Sequence, residues 1–160
     1  MELNHLNLGC GENKKAGYVN LDWQEAVQAD VVHDLNRFPY PFSDDTFDVI
    51  GAFHVIEHLD RPFAVMKELH RMLKPGGMLQ IRVPRFSRGF THAEHSHGFD
   101  VTFPLYFNKE FTKSGYMDCE LKLVRVRRVV RPGWSHRQNP DGAQQNSWRG
   151  CGRKPVAPAT

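Results

Sequence analysis

No apolar run in the sequence approaches the roughly eighteen residues of a membrane-spanning helix, and the N-terminus lacks the charged, apolar, small-residue order of a signal peptide. A cytoplasmic protein without a membrane association is the expectation. Three cysteines, Cys10, Cys119 and Cys151, form an odd, widely spaced set with no CxxC pair, which argues against a disulfide framework and a thiolate zinc site. A concentrated positive charge is also missing from the part that should fold. The chain carries a net +3, but residues 131 to 160 hold five Lys/Arg against one acid, leaving 16 basic and 17 acidic residues in the first 130. A nucleic-acid partner is therefore not expected. With 160 residues, 40% of them hydrophobic, the chain is long enough for one core and too short for two. Residues 1–130 should form that domain. The remainder, 131–160, is rich in Pro, Gly, Asn, Gln and Ser and predicts a basic, disordered tail.

What is present begins with Leu3, Leu6 and Leu8, a strand stopping at Gly9, and with Tyr18 to Asp22, which alternates and stops at an acid. Residues Ala29 to Asp34 predict a third strand, again closed by a carboxylate. A loop with Pro39, Pro41 and Ser43-Asp44-Asp45 follows, then a central strand from Phe47 to Ala52. Asp60-Arg61-Pro62 predicts a helix start with Asp60 as cap, and Phe63, Met66, Leu69 and Leu73 recur at helical spacing while Lys67, Glu68 and Arg71 face away. Lys74-Pro75-Gly76-Gly77 ends that helix, and Met78 to Val83 reads as a fifth strand closed by Pro84. Beyond it lie a loop over 85–107, a short helix over Asn108 to Ser114, and a β-prone stretch from Met117 to Val130 with Lys122, Arg125, Arg127 and Arg128 outward. The fold class is α/β with a mostly parallel sheet.

Two glycines one residue apart at the end of one strand, and a carboxylate at the end of the next, describe a nucleoside-binding crevice. A dinucleotide site would want a third glycine three residues on and a helix N-terminus facing a pyrophosphate. Lys14 stands there instead. Only Cys10 to Gly17 separate the strands, where a parallel crossover usually takes a dozen residues or more. The first crossover helix is shortened or missing.

The run Leu6-Asn7-Leu8-Gly9-Cys10-Gly11, the strand ending in Asp22, Asp34 before "FPYPFSDDTFDVI", then "FHVIEHL" and "LHRMLKPGGMLQI", resembles the class I S-adenosylmethionine-dependent methyltransferases over residues 3 to 84. The resemblance implies a Rossmann-like fold with S-adenosyl-L-methionine as cofactor and S-adenosyl-L-homocysteine as product. It implies Gly9 and Gly11, with Cys10 between them, against the methionine part, and Asp22, followed by Trp23, at the ribose. Asp34 with Leu35 would meet the adenine, and Phe53 and His54 would line the floor beneath the sulfonium. A sulfonium methyl needs mainly alignment for in-line attack, and a base only when the acceptor is protonated. His54 and His58 are the candidate catalytic bases; with Glu57 they would share one face if that stretch is helical.

The set His54-x-x-Glu57-His58 with His92, His95 and His97 is also similar to the metal-ligand set of certain small-RNA 2′-O-methyltransferases, which have a glutamate at the position of His54. "EHL" occurs in the superfamily without metal, and no metal is assigned on sequence grounds. Three departures from the family pattern predict an open crevice: the missing crossover helix, no helix before the first strand, and no full-length closing hairpin after Pro84. Lys14 or Lys15 would then meet the methionine carboxylate, with a lid formed by 85–107, a homo-oligomer or a partner chain covering the site. The function expected is methyl transfer to a small-molecule or saccharide-type acceptor, the alternative a cofactor-binding subunit or regulatory module without independent turnover.

Overall fold

The structure, a computed structural model, describes residues 4–84, 93–111, 119–129 and 143–150. Its strands are β1 (His5–Leu8), β2 (Val19–Asp22), β3 (Val31–Val32), β4 (Phe47–Phe53), β5 (Leu73–Val83), β6 (Leu121–Val129) and β7 (Ala143–Gly150), and its α-helix is α1 (Pro62–Met72). They form one seven-stranded sheet in the order β3-β2-β1-β4-β5-β7-β6. The first five strands run parallel, and β7 pairs antiparallel with both β5 and β6. Expectation and structure agree on a Rossmann-like, mostly parallel α/β fold.

Strand alternation divides the sheet into two unlike faces. Leu6, Leu8, Leu21, Ile50, Ala52, Leu79, Ile81 and Val83 are buried and join Val65, Met66, Leu69 and Met72 of α1 in a single core. The opposite face carries Asn7 beside Gly51, Gly51 beside Gln80, and Phe53 beside Arg82. It is polar, and α1 is the sole α-helix among the described residues.

Helix α1 departs from its sequence reading in two ways. Its N-cap is Arg61, without a side-chain cap bond, so Asp60 does not cap it. Its buried stripe is Val65, Met66, Leu69 and Met72, while Phe63 is exposed and packs against the rings of Phe103, Tyr106 and Phe107. Nor do Glu68 and Arg71 face solvent. Arg71 donates to both Glu68 carboxylate oxygens at 3.0 and 2.8 Å, to Asp44 Oδ1 at 2.8 Å and to the carbonyls of Phe42 and Tyr40, clamping the proline-rich loop onto the helix. These charge-assisted bonds are the stronger kind.

The other corrections lie after Pro84. Of the 85–107 segment expected as a lid, 85–92 lie outside the described residues, and Phe99, Phe103 and Phe107 are buried in the core, with a 3₁₀ turn at Phe103–Phe107. The short helix expected from Asn108 is not formed at 108–111, which are turn and bend; residues 112–114 lie outside the described residues. The closing hairpin thought absent is the β6–β7 pair of nine and eight residues. Residues 143–150 were expected in a disordered tail because Ala-Gln-Gln-Asn-Ser-Trp-Arg-Gly has no apolar alternation. A strand held on both edges takes its order from backbone pairing, not from propensity. The rest of the expected tail, 131–142 and 151–160, lies outside the described residues.

No helix occurs between β1 and β2, as expected, and the ten residues 9–18 still connect two parallel neighbours. Gly9, Gly11 and Gly17 take φ of +59, +48 and +76, so the chain reverses in tight turns. A buried asparagine pair then replaces helix packing. Asn20 Oδ1 accepts from Lys15 N at 2.8 Å and from Asn7 Nδ2 at 3.0 Å. Asn20 Nδ2 donates to the carbonyls of Lys15 and Tyr18 and to Asp30 Oδ2. Asp30 also accepts from Asn20 N at 2.7 Å, and these bonds hold its carboxyl below the usual carboxylate range. Replacing Asn20 by alanine strands several of these groups at once. Chemical denaturation of N20A should show a loss of about 2–3 kcal/mol; an unchanged midpoint and slope would mean that the network is not what holds the connection.

Candidate functional site

The carboxyl ends of β1, β2 and β4 meet in one crevice, where open parallel sheets bind ligands. At its base Gly9 turns the chain out of β1. A Cβ here would lie inside contact distance of the Val55 side chain, 2.7 Å from its Cβ, so this glycine serves the packing of Val55 as well as the turn. Gly11 has nothing within 4 Å of where its Cβ would be, so the space beside it is open to a ligand. Cys10 is buried and donates its backbone N–H to Leu21 O at 3.1 Å. Burial first, and Asp22 second, push its thiol pKa up, so it is a neutral packing group rather than a nucleophile.

Asp22 is 6% exposed at the end of β2. Its Oδ2 accepts from Gly11 N at 2.7 Å and its Oδ1 from Gln24 N at 3.1 Å. Each oxygen keeps a lone pair, and the two amides fix their direction. Trp23 beside it is exposed. Strand β3 ends at Val32, so Asp34 sits in the following loop rather than closing the strand. Its carboxylate accepts from Asn36 N at 2.9 Å and pairs with Arg37 at 3.3 Å. Leu35 is buried in the core, with its carbonyl held by the Tyr40 hydroxyl at 2.8 Å.

On the β4 side, the Phe53 ring carries Lys15 Nζ at 3.8 Å from its centroid and the Arg82 guanidinium at 5.7 Å. Burial and the nearby Arg82 lower the Lys15 pKa. Lys14 instead donates to Gln28 O at 3.1 Å. Of the two lysines, Lys15 is the one laid over Phe53, while Lys14 lies near enough to Cys10 to lower its thiol pKa slightly against the larger upward shifts.

His54 leaves β4 with φ +56, a left-handed conformation costly for a residue with a Cβ, and its N–H is held by Arg82 O at 2.8 Å. Ile56–His58 then form a single 3₁₀ turn. The expected helical face of His54, Glu57 and His58 is therefore not what gathers them; the left-handed residue and the tight turn do. His54 Nδ1 lies 3.3 Å from Glu57 Oε1, with its imidazole about half exposed and Glu57 buried. His58 Nδ1 is 3.0 Å from Glu94 O and its ring stands edge-on to His95. His97 points elsewhere, to Asp60 O at 3.0 Å, and His92 lies outside the described residues. Sequence reasoning missed the Asn7–Asn20–Asp30 network and Arg82. Two asparagines at matched register on adjacent strands were the available signal.

An open, mostly parallel sheet with this crevice defines a nucleoside-binding α/β domain. The family described as "Methyltransferase domain" matches residues 12–81. The demethylmenaquinone methyltransferase of Lysinibacillus sphaericus is 32% identical over 97 residues, 57% of this chain and 38% of that protein. An N-methyltransferase, NodS of Bradyrhizobium japonicum, solved with S-adenosyl-L-homocysteine, matches with TM-score 0.63 at 16% identity over 92% of this chain and 78% of its own. The [4+2]-cyclase SpnF matches with TM-score 0.66 at 14% identity over 93% and 74%. Residues 12–81 thus match a methyltransferase domain, and the described residues take the Rossmann-like fold of the class I S-adenosylmethionine-dependent methyltransferases, a superfamily whose cofactor is S-adenosylmethionine. It spans less than half the length of curated relatives such as the Lysinibacillus enzyme. Among the described residues no helix is long and apolar enough to cross a membrane.

The two glycines should respond differently to substitution. Gly9→Ala should destabilise the fold by about 2 kcal/mol or more through the Val55 clash and the positive φ, with part recovered in Gly9→Ala/Val55→Ala. Gly11→Ala should cost about 1 kcal/mol, the φ strain alone. Equal losses in thermal and denaturant melts would contradict the assignment of Val55 as the constraint.

Proposed function

We propose that this chain binds S-adenosylmethionine in the crevice and transfers its methyl group to a small-molecule or saccharide-type acceptor. The observation that carries the reading is Asp22: a buried carboxylate, pre-aimed by two backbone amides, at the edge of the open space beside Gly11. Its free lone pairs suit a ribose diol. Trp23 supplies an aromatic face for the adenine, Asp34 an acceptor for its exocyclic amine, and Lys15 an ammonium for the methionine carboxylate.

The cofactor supplies the electrophilic methyl, and the chain supplies alignment and proton removal. Gly9, Gly11 and Asp22 orient the nucleoside and methionine ends, and Phe53 gives a flat floor. His54, with its imidazole at the crevice and its Nδ1 beside the Glu57 carboxylate, is the base for a hydroxyl acceptor: Glu57 stabilises the imidazolium that forms. His58 is the weaker candidate because one ring nitrogen is already engaged by Glu94 O. Among the described residues no α-helix lies on the polar face of the sheet, which suits a second copy or a partner chain over the site.

Titration calorimetry with S-adenosylhomocysteine should give one site per chain. No binding would overturn the reading, and binding without transfer in a broad acceptor screen would favour a cofactor-binding subunit. Asp22→Ala should weaken that binding by about 2 kcal/mol, some thirtyfold.

Lys15 gives this reading a pH signature. Its depressed pKa means that it loses its proton at lower pH than an ordinary lysine. An affinity that uses the ammonium should therefore be full at neutral pH and fall as pH rises through the lowered pKa. Lys15→Ala should weaken binding at neutral pH and flatten the difference between neutral and alkaline affinity, while Lys14→Ala should do neither. The same pH curve for wild type and K15A would remove Lys15 from the site.

A further inference from the structure

The carboxylate of Glu57 is 1% exposed, and neither of its oxygens has a hydrogen-bond partner among the described residues. His54 Nδ1 lies within ion-pair range of Oε1 at 3.3 Å but off hydrogen-bond geometry. Burying a carboxylate costs several kcal/mol unless something positive or hydrogen-bonding meets it. Two further imidazoles surround this one: a donor atom from each of Glu57, His58 and His95 lies within 4.8 Å of the other two.

The histidine geometry suits coordination. His58 Nδ1 faces Glu94 O at 3.0 Å, and a carbonyl only accepts, so Nδ1 carries the proton and Nε2 keeps its lone pair. A backbone carbonyl on the far ring nitrogen is how metal-ligating imidazoles are commonly oriented. The segment bearing His95 is tied to the same turn, with Ser96 N and His97 N both donating to Glu57 O at 2.9 and 3.3 Å. The two halves of the cluster are thus held in register by backbone bonds rather than by the cluster itself.

We propose that Glu57, His58 and His95 bind one divalent transition-metal ion. One carboxylate and two imidazoles favour zinc, cobalt, nickel or manganese over magnesium or calcium, which prefer oxygen. Bonds of about 2.0–2.2 Å require donors closer than the present 4.8 Å limit, a contraction within reach of imidazole rotation. The ion would meet the buried charge of Glu57 and add a side-chain link between the turn after β4 and the segment bearing His95. The site does not depend on methyl transfer as the activity.

The test uses the full chain after chelator treatment, titrated with Co²⁺ by visible d–d absorption and with Zn²⁺ by calorimetry. One saturable site per chain is expected. His95→Ala and Glu57→Gln should each weaken it at least about tenfold, and His33→Ala, away from the cluster, should leave it unchanged. Should Glu57→Gln fail to fold by circular dichroism, His95→Ala alone decides. No saturable binding of either ion, or binding that survives both substitutions, overturns the proposal. Titrating S-adenosylhomocysteine into the metal-free protein separates the two readings: cofactor binding there with no metal site would leave the proposed function standing and this site refuted.

Discussion

The connection from β1 to β2 depends on one side chain, Asn20. Two parallel neighbours are joined by ten residues, too few for a helix that could pack on the sheet and repay the ordering of the loop with apolar burial. What repays it is a set of short hydrogen bonds converging on a buried amide. The amide's oxygen and nitrogen together reach Asn7, Lys15, Tyr18 and Asp30. A polar network of this kind stabilises only when every member is satisfied. This one satisfies the Asn20 amide from both ends and so fixes the position of Lys15.

From that fixed loop the crevice inherits its geometry. Asp22 is aimed by Gly11 N, which belongs to the same loop that Asn20 ties down at Lys15. On the other side, Val55 packs into the space left by the missing Cβ of Gly9 and sets where the turn bearing His54, Glu57 and His58 begins. The glycine loop and the turn bearing His54 are therefore coupled through the packing of Val55 against Gly9. The charges of the site sit on the rigid ends of strands and turns, where alignment chemistry needs them.

Much of this was legible in the sequence because it is periodic or punctuated. Strands β1, β2, β4 and β5 announce themselves by alternation ending at Gly, Asp or Pro, and their parallel order follows from the family resemblance. Asp22, Gly11 and the histidines stood out as chemistry at strand ends. What was not legible had one of two physical causes. Strand β7 is polar and takes its structure from neighbours on both sides, so a one-dimensional pattern contains no trace of it. The helical stripe slipped because Phe63 was counted as core, whereas it meets an aromatic cluster supplied by residues forty positions later. The proximity of Glu57 and His95 likewise needs the third dimension, since the bonds of Ser96 and His97 to Glu57 O and of His58 to Glu94 O bring the two segments together.

The absent crossover helix also changes the electrostatics available to a ligand. A helix N-terminus would present about half a positive charge from fixed amide dipoles, insensitive to pH. Here the described residues offer Lys15, a whole charge laid across the Phe53 ring and close enough to Arg82 to feel it. A full charge attracts a carboxylate more strongly at short range, but its strength depends on protonation and on salt. The substitution exchanges a permanent weak field for a stronger, titratable one. On the proposed reading the short loop does more than save residues. It makes cofactor capture responsive to the medium, with the aromatic ring of Phe53 holding the ammonium in place until a carboxylate arrives.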